Sequence, residues 1–281
     1  MIRREVNNQW WLVSQDDHAR LAGDLAAELG GIVQQLDHNV IQAVALHDCG
    51  WIEADAAPML DPDGRPMDVF QTPLPRGMQI WRESSRRALQ EAGPRAGLLV
   101  SIHSLALSAN ASARLFKQSA GSQPDLRLAF AVNKFQHAEI EQQEHCRRRL
   151  GLRLDLPLML GLAPDSPDPG EQQLLHDFRW LSAMDRLSLN LCCTDVPFPV
   201  LGPLTTTPGG RELIIHVTRR EATCATLDPW PFARDQVSAK IPCKRMAADR
   251  FVDEQSFRYA FTAAAVEELH VELRPAGALA T

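Results

Sequence analysis

The chain has 281 residues, 45% of them apolar, with a formal net charge of -6 and a pI near 5.8. That length and apolar content supply one large core or two small ones. An acidic chain whose basic clusters are short excludes a nucleic-acid-binding surface, which needs a concentrated positive field. The opening "MIRREVNNQWW" has no apolar signal core and no later apolar run reaches spanning length, so no membrane segment and a cytoplasmic location are expected.

Ser14 is the candidate N-cap of a first helix, with Asp17 as its capping-box partner and Gly30-Gly31 as its stop. Leu21, Ala22, Leu25 and Leu29 follow His18 at three, four, seven and eleven residues, so His18 opens the apolar stripe. The second helix carries "IQAVALHDCGW". Val40, Ala43 and Val44 lie seven, four and three residues before His47, and Asp48 follows Ile41 and Val44 along the adjoining edge. Residues 56–77 hold five prolines and form a long loop, expected at the rim of any site built at Asp48 and placed to act as a lid. Trp51 leads into it.

Pro94 opens a further helix in which Ala96, Leu99, Val100, Ala106 and Leu107 share a face with His103. A polar-rich helical stretch runs over 123–150, and residues 163–171 form a break before the long helix "EQQLLHDFRWLSAMDRLSLNLCC". There, Phe178, Leu181, Leu189 and Cys192 stand seven, four, four and seven residues from Asp185, which sets an acid in the middle of an apolar stripe. After a break at 195–210 the period becomes two: Leu213, Ile215 and Val217 alternate with polar neighbours, and "EATCATLDPWPF", "DQVSAKIPCKRMAA" and "AVEELHVELRP" read as further strands, with a short helix near 253–263. The fold expected is mainly α with a small C-terminal antiparallel β-sheet, α+β overall, divided into a helical domain at 1–195 and a β subdomain at 196–281.

Asp is almost never fully buried without a partner, and an unpaired buried carboxylate costs several kcal/mol, so inward-facing Asp48 and Asp185 require a cation or strong donors. Three inward histidines, His18, His47 and His103, supply the matching metal-type ligands. The other histidines fail the same test. His176-Asp177 falls on a mixed, mostly polar face, His145 is expected in solvent, His137 is ambiguous, His38 lies in a helix entry, His216 on a mixed strand and His270 on a polar strand face. The six cysteines show no C-x-x-C spacing, and the Cys192-Cys193 pair has no second pair to complete a zinc site.

A helix-borne His18, then His47-Asp48 on a second helix, then Asp185 on a late helix resembles the HD superfamily of metal-dependent phosphohydrolases. The wording "QDDHARLAG", "ALHDCGW", "LLVSIHS", "WLSAMDRLSLNLC" and "DPWPF" is similar to an uncharacterised bacterial family placed within it. The resemblance implies a helical fold and a metal site formed by His18, His47, Asp48 and Asp185, and leaves the substrate open. Mixed imidazole and carboxylate ligands suit a divalent Mn, Fe, Zn or Mg ion without selecting among them. The function expected is hydrolysis of a small phosphorylated molecule by a metal-activated water, with Asp48 and His103 as the catalytic candidates. His103 is placed to contact phosphate, donate a proton to the leaving oxygen, or join a second metal. A non-catalytic metal- or ligand-binding sensor and an iron-dependent oxygenase are the alternatives on the same ligands, and an oligomer is compatible with each. Phosphate recognition is left to scattered groups such as Arg82, Lys134, Arg179 or Arg186.

Overall fold

The computed structural model describes residues 1–118, 125–153, 156–221 and 223–277. The chain opens with strands β1 (Ile2–Val6) and β2 (Gln9–Val13), joined by Asn7 and Asn8 at φ 49° and 59°. Two consecutive left-handed residues make the two-residue turn whose twist suits a hairpin, and asparagine tolerates that conformation better than most residues. Helix α1 (Gln15–Ala27) follows, capped by Ser14, whose side chain accepts from the Asp17 amide. Then come α2 (His38–Leu46), a turn of 3-10 helix at Cys49–Trp51, and the short α3 (Ile52–Ala56).

Helix α4 (Leu74–Gln118) is broken at Gly93, whose φ of 83° is left-handed backbone that favours glycine, with Pro94 starting the second arm. The arms fold back on each other. Ser85 and Ser101 both reach Glu139, the Ser104 hydroxyl donates to the Trp81 carbonyl, and a Cβ added at Gly97 would lie 2.6 Å from that of Leu89. Against this hairpin packs α5 (Leu126–Leu150), ended by left-handed Gly151, and beyond α6 (Leu156–Met159) runs α7 (Pro169–Cys192) with a capping box between Asp168 and Glu171. The apolar part of α4 is long enough to cross a membrane by length and composition, and 67% of that window is buried inside the protein.

The C-terminal part supplies β3 (Val200–Thr205), β4 (Glu212–Glu221), β5 (Cys224–Asp228), β6 (Val237–Ala247), α8 (Glu254–Ala263) and β7 (Val266–Pro275). Along β4, Leu213, Ile215 and Val217 are buried and their neighbours exposed, as the alternation requires. The sheet corrects the expected fold class. It is one mixed sheet of seven strands in the order β1-β2-β6-β7-β5-β4-β3, too large a share of the protein for a mainly α fold with a small antiparallel appendage. Two physical causes lie behind the difference. The N-terminal hairpin joins through β2 and β6, and its alternation is obscured because inward Arg4 is a charge, 2% exposed, that donates to the Leu191 carbonyl. Strand β7 inserts between β6 and β5, antiparallel to the first and parallel to the second, a pairing fixed by distant contacts.

One apolar core joins the sheet to the helices, from Leu25 of α1, Val44 of α2 and Leu99 of α4 to Trp180 of α7 and Ile215, Ile241 and Leu273 of the sheet. Helices α1 and α2 approach closely at Gly23, where a Cβ would stand 2.6 Å from that of Ala45. That contact sets the spacing of the helices that carry His18 and His47.

Candidate metal centre

Five of the side chains singled out in the sequence converge. His18 comes from α1, His47 and Asp48 from the end of α2, His103 from the second arm of α4 and Asp185 from the middle of α7. All are buried, from 0% exposure at His18 to 8% at Asp185. His18 Nε2 lies 3.1 Å from Asp48 Oδ2, and His47 Nε2 lies 3.3 Å from Asp185 Oδ1 and 3.7 Å from Asp48 Oδ2. His103 Nε2 stands 3.6 Å from Asp185 Oδ2. The His47 ring meets those of His18 and His103 edge to face, with centroids 5.0 and 5.3 Å apart. His18, His47 and Asp48 form one group, and His47, His103 and Asp185 a second, whose ligand atoms lie within 4.8 Å of one another and could hold a metal ion.

Hydrogen bonds behind the rings determine what the inner nitrogens present. The Ser188 hydroxyl donates to the Asp185 carbonyl at 2.8 Å, so toward His18 Nδ1, also at 2.8 Å, it acts as acceptor and the proton sits on Nδ1. His47 Nδ1 donates to the Val44 carbonyl at 2.7 Å. Both neutral rings therefore turn an Nε2 lone pair toward the carboxylates, the tautomer in which imidazole binds a metal. Acceptors facing acceptors repel unless a proton or another cation lies between them. Three buried atoms there, His47 Nε2, Asp48 Oδ1 and His103 Nε2, have no hydrogen-bond partner. An unsatisfied polar or charged group in low dielectric is costly, and a cation held by either ligand group would offset that cost for the atoms of that group.

The charge state points the same way. Burial drives the His47 pKa down, but the carboxylates of Asp48 and Asp185 outweigh it and raise it to about 9. Burial raises the Asp48 pKa, yet His47 and His18 hold it below the ordinary value, and Asp185 is depressed by the same balance, with His47 as the main opposing influence. Without a metal, a proton on His47 supplies the positive charge that the carboxylates demand. His103 behaves oppositely: burial, only partly opposed by Asp185, lowers its pKa to about 4.

Asp48, His103 and Asp185 open onto a cavity of about 710 Å³, in the size range of small-molecule sites. Val69, Phe70 and Thr72 line it, which puts the end of the proline-rich segment on its wall. That segment is anchored by buried Asp61, which accepts from Arg3 and Arg65, and by the Val69 amide bonded to the Met1 carbonyl. Trp51 also lines the cavity. Of the expected phosphate contacts, Arg179 and Arg186 are on its wall, Arg82 is instead ion-paired with Glu139 at 3.1 Å, and Lys134 is exposed elsewhere on α5.

Several groups escaped the sequence reading. Ser188 orients His18; its spacing three residues after Asp185 was the available signal. Arg114, Trp81 and Phe198 line the cavity from elements whose convergence only the fold supplies. His176 and Asp177 are buried, contrary to the polar face expected, because each finds a distant partner: Thr205 of β3 for His176, at 2.8 Å, and Arg95 of α4 for Asp177. They remain apart from the cavity lining. His38, His137, His145, His216 and His270 are exposed.

Residues 1–248 match the family described as "Protein of unknown function (DUF3891)", and the chain belongs to that family. No curated protein and no solved structure matches it.

Proposed function

We propose that this protein is a metal-dependent hydrolase of a phosphate ester, acting on a small phosphorylated molecule rather than on nucleic acid. The observation that carries the reading is the cluster itself: buried His and Asp side chains whose ligand atoms lie close enough to hold a metal ion, with unpartnered atoms on His47, Asp48 and His103, beside a cavity whose other charged lining groups are arginines. The HD-type resemblance, which rests on the order His18, His47-Asp48, Asp185, motivates the choice of phosphate-ester hydrolysis.

His18, His47, Asp48 and Asp185 would hold a divalent Mn, Fe, Zn or Mg ion. Such an ion supplies water activation at neutral pH and polarisation of a phosphoryl oxygen. The chain's own contributions can be assigned residue by residue. Ser188 and the Val44 carbonyl keep the two imidazoles in the ligating tautomer. Asp48, with one oxygen near His18 and the other unpartnered, would accept a proton from a water activated there. His103 stays neutral at pH 7 and is suited to hydrogen-bonding the substrate; a phosphate dianion beside it would raise its pKa, which couples its protonation to binding. Arg186, on the same wall, offers charge-assisted hydrogen bonds to phosphate oxygens. A cytoplasmic location belongs to the same reading and is in keeping with six free cysteines.

The test is turnover. Wild-type protein, loaded separately with Mn, Fe, Zn and Mg, is screened against phosphomonoesters and phosphodiesters with Asp48→Ala as control. Turnover by at least one metal form that the variant loses is expected. No turnover by any metal form would overturn the reading and leave a metal- or ligand-binding protein.

A further inference from the structure

The cavity extends well past the metal cluster. On α4 it is lined from His103 to Arg114, and on α7 from Asp185 back to Phe178, both leading away from the cluster. At 1.5 Å per residue the first path spans about 16 Å and the second about 10 Å. Residues 160–162 line the cavity beside that part of the two helices: Gly161 abuts the Phe178 ring, and Leu160 packs on the same apolar cluster as Ala111 and Leu115. The rest of the wall is mostly apolar, with Trp51, Trp81, Ala106 and Leu107 among its residues.

Charge along this cavity is uneven. Among the described residues its only acids are Asp48 and Asp185, both within the cluster, and its bases outside the cluster are Arg114, Arg179 and Arg186. Arg186 is adjacent to Asp185 and lies over the Phe198 ring at 5.7 Å, while Arg114 and Arg179 stand toward the far end. Among the described residues none of the three has a carboxylate partner, unlike Arg82 and Arg95, which are held by Glu139 and Asp177. Arg114 is exposed and Arg179 half-buried, and both bring an unneutralised guanidinium group to the wall of an apolar cavity, a pair suited to bind an anion that enters it.

We infer that the substrate is bifunctional: a phosphate at the metal cluster beside Arg186, an apolar body along the middle, and a second anionic group, phosphate or carboxylate, bound by Arg114 and Arg179. This rests on the cluster being the phosphate-processing end. Arg114 and Arg179 are then specificity-determining residues for a group that does not react.

Binding tests this with hydrolysis-resistant probes, independently of turnover. Alkylphosphonates, α,ω-alkylene bisphosphonates and ω-phosphonocarboxylates of matched chain length are titrated calorimetrically into metal-loaded wild type, Arg114→Ala, Arg179→Ala and the double variant. Bifunctional probes with a spacer of several carbons are expected to bind on the order of tenfold or more tighter than the matched monophosphonate, the scale of one charge-assisted hydrogen bond. The double variant loses that advantage with metal content and circular dichroism unchanged, and Arg179→Lys retains part of it. The preferred bifunctional series identifies the second anion. Equal binding of mono- and bifunctional probes, an advantage that survives in the double variant, or no binding of either would overturn the inference. A bifunctional advantage without turnover of any phosphoester would sink hydrolysis alone; turnover of simple phosphoesters without the advantage would sink only the second anion site.

Discussion

Ser188→Ala removes a single oxygen and addresses the tautomer argument directly. The Ser188 hydroxyl accepts from His18 Nδ1 at 2.8 Å while donating to the Asp185 carbonyl at 2.8 Å, and His18 is fully buried, so no water replaces the lost acceptor. A buried donor left unsatisfied costs about 1–3 kcal/mol of stability. The effect on metal binding is separate: with Nδ1 unanchored, the ring is free to rotate or to carry its proton on Nε2, and loss of such an outer hydrogen bond weakens metal affinity by about 10–100-fold. The assays are chelator competition for the metal dissociation constant and denaturant unfolding of the metal-free protein, each beside wild type. A dissociation constant within twofold of wild type would refute the claim that Ser188 sets the ligating tautomer, even if stability fell.

His47 carries a pH signature. Its folded pKa of about 9 exceeds its unfolded value near 6.5, so its contribution to metal-free stability is fully present below about pH 6.5 and is lost as pH rises through about 9. The stability difference between wild type and His47→Gln, both metal-free, is therefore expected to shrink between those values; a difference that grows with pH would contradict the assignment. Metal loading at pH 7 should displace that proton, and calorimetry in buffers of different ionisation enthalpy should show proton release, whereas buffer-independent heats would rule the exchange out. Glu139→Ala leaves the buried Ser85 and Ser101 hydroxyls without their carboxylate and should lower unfolding stability by about 1–3 kcal/mol. Gly97→Ala sets better helix propensity against a 2.6 Å clash with Leu89; overpacking of about 1–3 kcal/mol should win, and a stabilised variant would disprove the close packing of the α4 arms.

The residues of the cluster were legible because each breaks a local pattern: an imidazole or carboxylate in an apolar helical stripe is visible without the fold. Their mutual distances were not, since they depend on close approaches such as Gly23 to Ala45. The same logic explains what the sequence concealed. The burial of Arg4 has no local signal because its acceptor, the Leu191 carbonyl, lies 187 residues away. His176 and Glu139 sit among polar neighbours, yet long-range partners, Thr205 for one and Arg82 with Ser101 for the other, allow both to be buried. Sheet size was hidden for a related reason. Period-two alternation announces strands, but five-residue strands with an inward arginine do not show it, and the parallel pairing of β5 with β7 has no local signature.

The central claim, that four buried side chains form a cation site, is tested most directly by elemental analysis of protein purified without added metal, in wild type and in His47→Ala and Asp185→Ala. Near-stoichiometric divalent metal in wild type, lost in both variants while the fold persists by circular dichroism, is the expected result. Wild-type protein that holds no metal even after reconstitution with Mn, Fe, Zn or Mg would contradict the account and make His18, His47, Asp48 and Asp185 a proton-bridged polar network.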